Sequence, residues 1–446
     1  MTKKLINIVL HIALILLPLL VLPTKYFPYE YNIPKMIALY SCGVILFILL
    51  LIRYKELKFD KYDILFGVFI LLVILSTVFS VDVRISIFGM PNRFEGLLTF
   101  ICYFLIYYCA RYYLNISNKS LNIILIAISI ISIIGILQYY NLITLSRYYG
   151  QSFASATFGN RNFFGSFLAL VVPFTMCLYI FYNKELALIP CLLSFFALLC
   201  SLTRSAWLAF LIISIIGLIY LIILKDKRTW KRAILTIALL LMLFITFYIN
   251  KPKAFTGRIT STMNDFNSII DSIDEIKNNE NENLPNQKEN LLDILASMSN
   301  TIASNRMIIW KCAVKIIKHY PIFGSGPDAF FSGLCTKELD FVVNTVYHAL
   351  NNGFPDKAHN EWLHIGATIG IPALIIYVTF IILILRKLRK TNLKENKISF
   401  IIYICIISYI IQSMFNISTI GVAPIYYLII GYSLQLNNLV KLKEKN

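Results

Sequence analysis

Long apolar runs joined by short polar connections dominate the chain. A helix crossing a bilayer needs about 20 apolar residues, within a range of about 17–25. Runs of that order lie near 5–22, 35–52, 64–80, 97–113, 121–140, 163–182, 186–203, 206–224, 233–249, 362–385, 398–416 and 423–437, which predicts twelve spans. The first run follows Met1-Thr2-Lys3-Lys4, like a secretory leader. It reaches Leu22 with no small-residue cleavage site after it, so a retained span is expected. The predicted fold class is an all-α polytopic membrane protein in three stretches. Spans one to nine occupy 1–249, a polar connection 250–361, and spans ten to twelve with a cytoplasmic tail 362–446.

The long connection changes character along its length. Its middle, 264–300, is rich in Asn and acid and reads as a flexible insertion in which two weak helices, Phe266–Ile276 and Leu291–Met298, flank a disordered patch. Met307, Trp310, Val314 and Ile317 then recur at helical spacing, predicting an amphipathic helix near 304–318 that lies in the membrane interface. Arg306 falls in its first turn, where a cation opposes the helix dipole. His319-Tyr320-Pro321-Ile322-Phe323-Gly324-Ser325-Gly326-Pro327-Asp328 stops that helix in a compact turn expected to expose backbone N–H groups.

Composition agrees with the pattern. Only 14% of the 446 residues are charged and 58% are hydrophobic, against roughly 25% charged in soluble domains. The net charge of +18 is explained by the loops rather than by nucleic acid. With a cytoplasmic N-terminus, more than half of the 41 Lys and Arg fall on the cytoplasmic side, whereas the short outer loops hold Lys25, Lys35, Arg84, Arg93, Arg147, Arg161 and Arg204. Both termini are predicted inside, and His359 outside. Most of the nine cysteines sit in apolar runs as small hydrophobes. Cys312 and Cys335, in the long connection, are the pair with a chance of bridging. No C-x-x-C or D-x-D spacing suggests a metal.

Only His11 is an ionisable group well inside a predicted span, which disfavours an ion-coupled transporter. The polar chemistry collects outside. Arg93 and Glu95 lie in the loop 81–96, Asn160 and Arg161 precede span six, Arg204 sits in a very tight hairpin, and Asp328 ends the Gly-rich turn. His359-Asn360-Glu361-Trp362 stands where the long connection meets span ten, with Asn360 suited to cap the helix and Glu361 near enough to hold the imidazole. Two guanidiniums, Arg204 and Arg306, can clamp a diphosphate by paired hydrogen bonds. His359 can take a proton from an acceptor hydroxyl. This set suits group transfer from a phosphate-activated lipid without metal or cofactor.

Several stretches carry a resemblance. His359-Asn360, nine residues, then Gly370-Ile371-Pro372-Ala373 resembles the H-[NSQ]-x9-G-x-x-G signature of the bacterial O-antigen ligase family, with Ala373 in place of the last glycine. GMPNRFEGLLT at 89–99, GNRNFFGSFLAL at 159–170, LTRSAW at 202–207, RMIIW at 306–310 and HYPIFGSGPDAF at 319–330 are similar to the same family. In GNRNF the family often has Pro where Arg161 stands. The resemblance implies a twelve-span, GT-C-like glycosyltransferase of the bacterial cytoplasmic membrane. It implies an outer active site carried by the loop between spans nine and ten, and donors that are glycans on undecaprenyl diphosphate. It implies metal-independent inversion, with His359 as general base and Arg204 and Arg306 on the diphosphate. The acceptor is a glycan, lipid or protein hydroxyl. Polysaccharide polymerase, protein O-oligosaccharyltransferase and a non-enzymatic lipid-linked glycan flippase stand as alternatives to a ligase.

Overall fold

The computed structural model describes residues 1–22, 31–143, 145, 153–261, 263, 302–336, 355–390 and 396–443. The expected insertion at 264–300 and its two weak helices lie outside the described residues, apart from the chain up to 263. What is described is helical. In chain order the α-helices are α1 (Thr2–Leu19), α2 (Asn32–Ile52), α3 (Lys61–Val78), α4 (Val83–Phe88), α5 (Leu97–Tyr113), α6 (Asn118–Tyr139), α7 (Arg161–Ile180), α8 (Leu188–Ser201), α9 (Arg204–Leu224) and α10 (Lys227–Asn250). They continue, after a helical stretch at 252–261, with α11 (Ile302–His319), α12 (Phe330–Leu334), α13 (Glu361–Thr368), α14 (Ile371–Lys390), α15 (Lys397–Ser413) and α16 (Ala423–Lys443).

Among the described residues, eight helices are long and apolar enough to cross a membrane: α1, α2, α3, α6, α7, α9, α10 and most of α14. Leu97–Tyr113, Glu185–Ser201 and Lys397–Ser413 are shorter apolar helical stretches. The protein is therefore a polytopic membrane protein. Polar side chains mark where the helices begin. Asp60 and Asp63 form a capping box at α3, and Ser117, Asp226 and Asn396 cap α6, α10 and α15. The most buried span is α7, with 94% of its apolar window covered, against 22–44% for the other seven. It packs against α8, α9 and α15, while α16 packs against α5. The outer helices show bare apolar faces, such as Leu211, Ile215 and Ile222 on α9, as contact with lipid requires.

The expected tenth span is not continuous. It breaks between α13 and α14 at Gly370, whose φ is +103°. A Cβ there would stand 2.0 Å from the Ile322 carbonyl oxygen, so only glycine fits. The Gly-rich turn closes the break. Ser325 N–H donates to the Ala367 carbonyl at 3.0 Å and Gly326 N–H to the Thr368 carbonyl at 2.8 Å. Ser76 Oγ reaches Thr368 O at 2.9 Å, and Ile371 N–H donates to Pro321 O at 2.9 Å. The N–H groups of Ser325 and Gly326, expected to be exposed, are thus spent on the orphan carbonyls of a helix end.

The helix expected at 304–318 gains a packed face, and a further expectation, on Lys35, needs correction. The helix α11 is present, but Ile308, Ile309, Cys312, Ala313 and Ile316 form its buried stripe, while Val314 is 41% exposed. Both stripes are apolar at helical spacing, and packing on α12 and α13 selects the second. Lys35, counted as a loop charge, is fully buried in the first turn of α2, where its ammonium donates to the carbonyls of Leu20 (2.7 Å), Tyr31 (3.1 Å) and Thr157 (2.5 Å). Cys312 is a buried free thiol, and Cys335 is exposed.

Candidate active site

At one end of the bundle the starts of α5, α7, α9 and α13 meet the turn 319–328 and the connection between α15 and α16. Side chains tie these segments together. Asn416 Nδ2 donates to Asn162 O (2.8 Å) and Ser166 Oγ (2.9 Å) on α7. Ser418 Oγ donates to Glu95 Oε1 (2.6 Å), and Trp362 Nε1 donates to Ser413 Oγ (3.1 Å). Thr203 Oγ1 donates to Arg161 O (2.9 Å), which sets the start of α9 beside that of α7.

His359 sits in this region, partly buried, in a left-handed backbone with φ +48°. Such a conformation is uncommon outside glycine and marks a position held by its surroundings. The residues on either side do the holding. Asn360 Oδ1 accepts the Leu363 N–H at 3.0 Å and caps α13. The buried Glu361 carboxylate accepts from Tyr377 (3.2 Å) and Tyr409 (3.1 Å). On the other side, Lys357 is 1% exposed, with its ammonium 2.5 Å from Glu95 Oε2 and 3.0 Å from Asp328 Oδ1. Burial pulls the Lys357 ammonium down, but the Asp328 and Glu95 carboxylates outweigh it and raise the pKa above its ordinary value, so Lys357 stays charged. Asp356 pairs with Arg93, whose Nε donates to it at 2.6 Å while the guanidinium lies over the Phe163 ring at 5.2 Å.

Burial lowers the His359 pKa below 6.5, opposed by the Asp356 carboxylate and reinforced by Arg306, Arg93 and Lys357. The imidazole is therefore neutral near pH 7, the form a general base needs. Arg306, partly exposed on α11, and Arg93 are both within electrostatic reach of it. Arg204 is the first residue of α9, with its guanidinium Nη1 3.5 Å from Ser261 Oγ and its chain neighbour Thr203 bonded to Arg161. Arg161 lies over the Phe153 ring at 5.0 Å, and Asn160 caps α7 through the Asn162 N–H at 2.8 Å.

Glu95 and Asp328 are buried around Lys357. Asp328 Oδ2 also accepts the N–H groups of Met90 (2.7 Å) and Glu95 (3.2 Å), which directs both carboxylates to the frame of the loop 89–96. The carboxylate that acts on His359 is Asp356, while Glu361 is engaged by two tyrosines. Asp356 and Lys357 went unread in the sequence. Arg93 and Glu95, which pair with them, lie 263 and 262 residues away, and Asp328, the second partner of Lys357, lies beyond another turn, so their adjacency to the His359 motif was the one local signal.

Fold and site together define a polytopic helical membrane protein with a charge-paired cluster at one end of its bundle. Residues 189–378 match the family model described as O-antigen ligase, so the chain carries a domain of this membrane family of polysaccharide biosynthesis. The matched stretch includes Arg204, Arg306, His359 and the break at Gly370, and ends before α15. No curated protein matches the chain.

Proposed function

We propose that the protein is a membrane glycosyltransferase that moves a glycan en bloc from undecaprenyl diphosphate to an acceptor hydroxyl on the outer face of the cytoplasmic membrane. In this reading the twelve apolar segments all cross the bilayer, both termini are cytoplasmic, and the GT-C-like arrangement places the His359 end outside. The observation that carries it is a neutral, partly buried imidazole facing a cationic neighbourhood inside the O-antigen ligase domain. His359 removes the proton of the acceptor hydroxyl as the oxygen attacks the anomeric carbon. The carbon–diphosphate bond breaks on the opposite face, and its electron pair leaves with the lipid diphosphate. Arg306 and Arg204 stabilise the charge that develops there. Asn160, Arg161 and Arg93 line the approach. Glu95, Asp328, Asn360 and Glu361 serve by holding the site rather than by touching substrate.

The flippase alternative needs a polar path for the headgroup. A cavity of about 170 Å³ between α1, α6, α7, α15 and α16 has an apolar lining that includes Leu14, Ile128, Phe167 and Ile402, with Ser117 and Asn118 among its few polar groups. That lining favours hydrocarbon over a glycan headgroup. Reconstitution with extracted lipid-linked glycan and candidate acceptors, read by product mass, tests the proposal and separates ligase from polymerase. Glycan-bearing acceptor is the expected product. Movement of the donor across the bilayer without any new glycosidic bond would overturn the reading. Activity is expected to persist in EDTA, measured as initial rate.

A further inference from the structure

We propose that Lys357 is a positioning residue. Its buried ammonium, held between the Glu95 and Asp328 carboxylates, fixes the left-handed turn at His359 and so sets where the imidazole stands. The inference rests on the functional reading above and extends it to a residue that does not touch substrate.

Three observations converge. First, Lys357 is two residues before His359 and is almost completely buried, so its stem cannot move without moving that turn. Second, its two partners belong to segments distant in sequence. Glu95 precedes α5 and is further held by Tyr103 (3.0 Å) and Ser418 (2.6 Å). Asp328 follows α11 and is anchored on the backbone of Met90 and Glu95. The triad therefore joins the loop 89–96, the Gly-rich turn and the loop 355–360 at one point. Third, the backbone at both His359 and Asp328 is left-handed, with φ +48° and +58°. Neither residue is glycine, and such conformations persist where the surroundings over-determine them. A buried cation with two carboxylates costs desolvation, and an apolar trio of equal volume would serve stability as well or better. Placement of the neighbouring histidine is a role that the apolar trio would not supply.

The test uses the full-length chain with all five histidines labelled for NMR, each signal assigned by single substitution. Lys357→Met alone strands two buried carboxylates and can prevent folding. The informative variant is therefore Lys357→Met with Glu95→Gln and Asp328→Asn, which removes the charges together. It is expected to shift the His359 signal, together with that of the nearby His364, on which Lys357 also acts, while that of His11 stays in place. With extracted lipid-linked glycan as donor, kcat should fall about 100-fold, as misplacing a reacting group by about 1 Å does, with the donor KM within about two-fold. The proposal is overturned if the His359 signal and kcat are unchanged, if the loss falls on KM alone, or if all five signals move or the variant does not fold. Retained turnover by His359→Ala would instead remove the functional reading. The NMR signal would still report whether Lys357 positions the imidazole.

Discussion

A buried cation sits between two carboxylates near each end of helix α5, and the two clusters are built differently. At its C-terminal end Arg111, 2% exposed, donates to Asp60 Oδ1 (2.7 Å) and Asp63 Oδ1 (2.6 Å), and Tyr107 and Tyr112 complete the shell of Asp63 at 3.1 and 2.7 Å. All these groups come from α5 and the capping box of α3. At the N-terminal end Lys357 does the equivalent work with Glu95 and Asp328, but it draws on three loops. The first cluster closes on itself and pins two helices. The second leaves a histidine in a left-handed turn next to it. On the proposed function, similar electrostatics serve as a staple where rigid helices supply the partners, and as a frame for chemistry where loops supply them.

The comparison is broken most directly at His359. His359→Ala should lower turnover by about 100- to 10,000-fold, the usual worth of a positioned base, with an unchanged melting temperature. If turnover persisted, the Lys357 cluster would be a second staple and nothing more. Arg111→Met, at the other end, should do the reverse. Stranding the fully buried Asp63 costs about 3–5 kcal/mol of stability, read as a lower melting temperature, while the folded fraction keeps its kcat. A selective loss of kcat there would erase the distinction between the ends. Arg306→Ala and Arg204→Ala come next. Each removes charged hydrogen bonds worth about 1.5–3 kcal/mol, which corresponds to about a 10- to 150-fold weaker engagement of the diphosphate donor. Equal donor affinity in both variants would detach the arginines from the site.

How much of this was legible in the chain follows from the range over which each signal acts. Apolar length is local, and each of the twelve runs coincides with helix, though the tenth is interrupted. Asn360 was legible as a cap because capping spans three residues. The break at Gly370 was not, since apolar residues on both sides continue the pattern and the reason for glycine lies in Ile322. The face by which α11 packs on α12 and α13 was not legible, because two apolar stripes share the helix and only the partner helices decide which one they cover. Lys35 looked like a surface charge because carbonyls, its acceptors, leave no trace in sequence. Lys357 and Asp356 were missed for the same reason of distance, as Glu95 and Arg93, which pair with them, lie 262 and 263 residues away.

The smallest expected effect concerns the acid limb of the rate profile, and it tells which carboxylate tunes the base. In the proposed mechanism His359 serves as a base, which requires the neutral imidazole, and its burial, with Arg306, Arg93 and Lys357, holds its pKa below 6.5. Activity should therefore survive acidification past the ordinary histidine range and fall only below it. Asp356 works against that trend, since its carboxylate favours the imidazolium. In Asp356→Asn the opposing charge is gone, so the pKa should drop further and the acid limb of kcat/KM should move to lower pH. The substitution also takes the paired carboxylate from Arg93, whose charge acts on His359 in the same direction. Profiles of the wild type and this variant, measured on the same donor, decide the sign. A move to higher pH would mean that Asp356 does not act on the base, and Glu361 would return as the carboxylate behind His359.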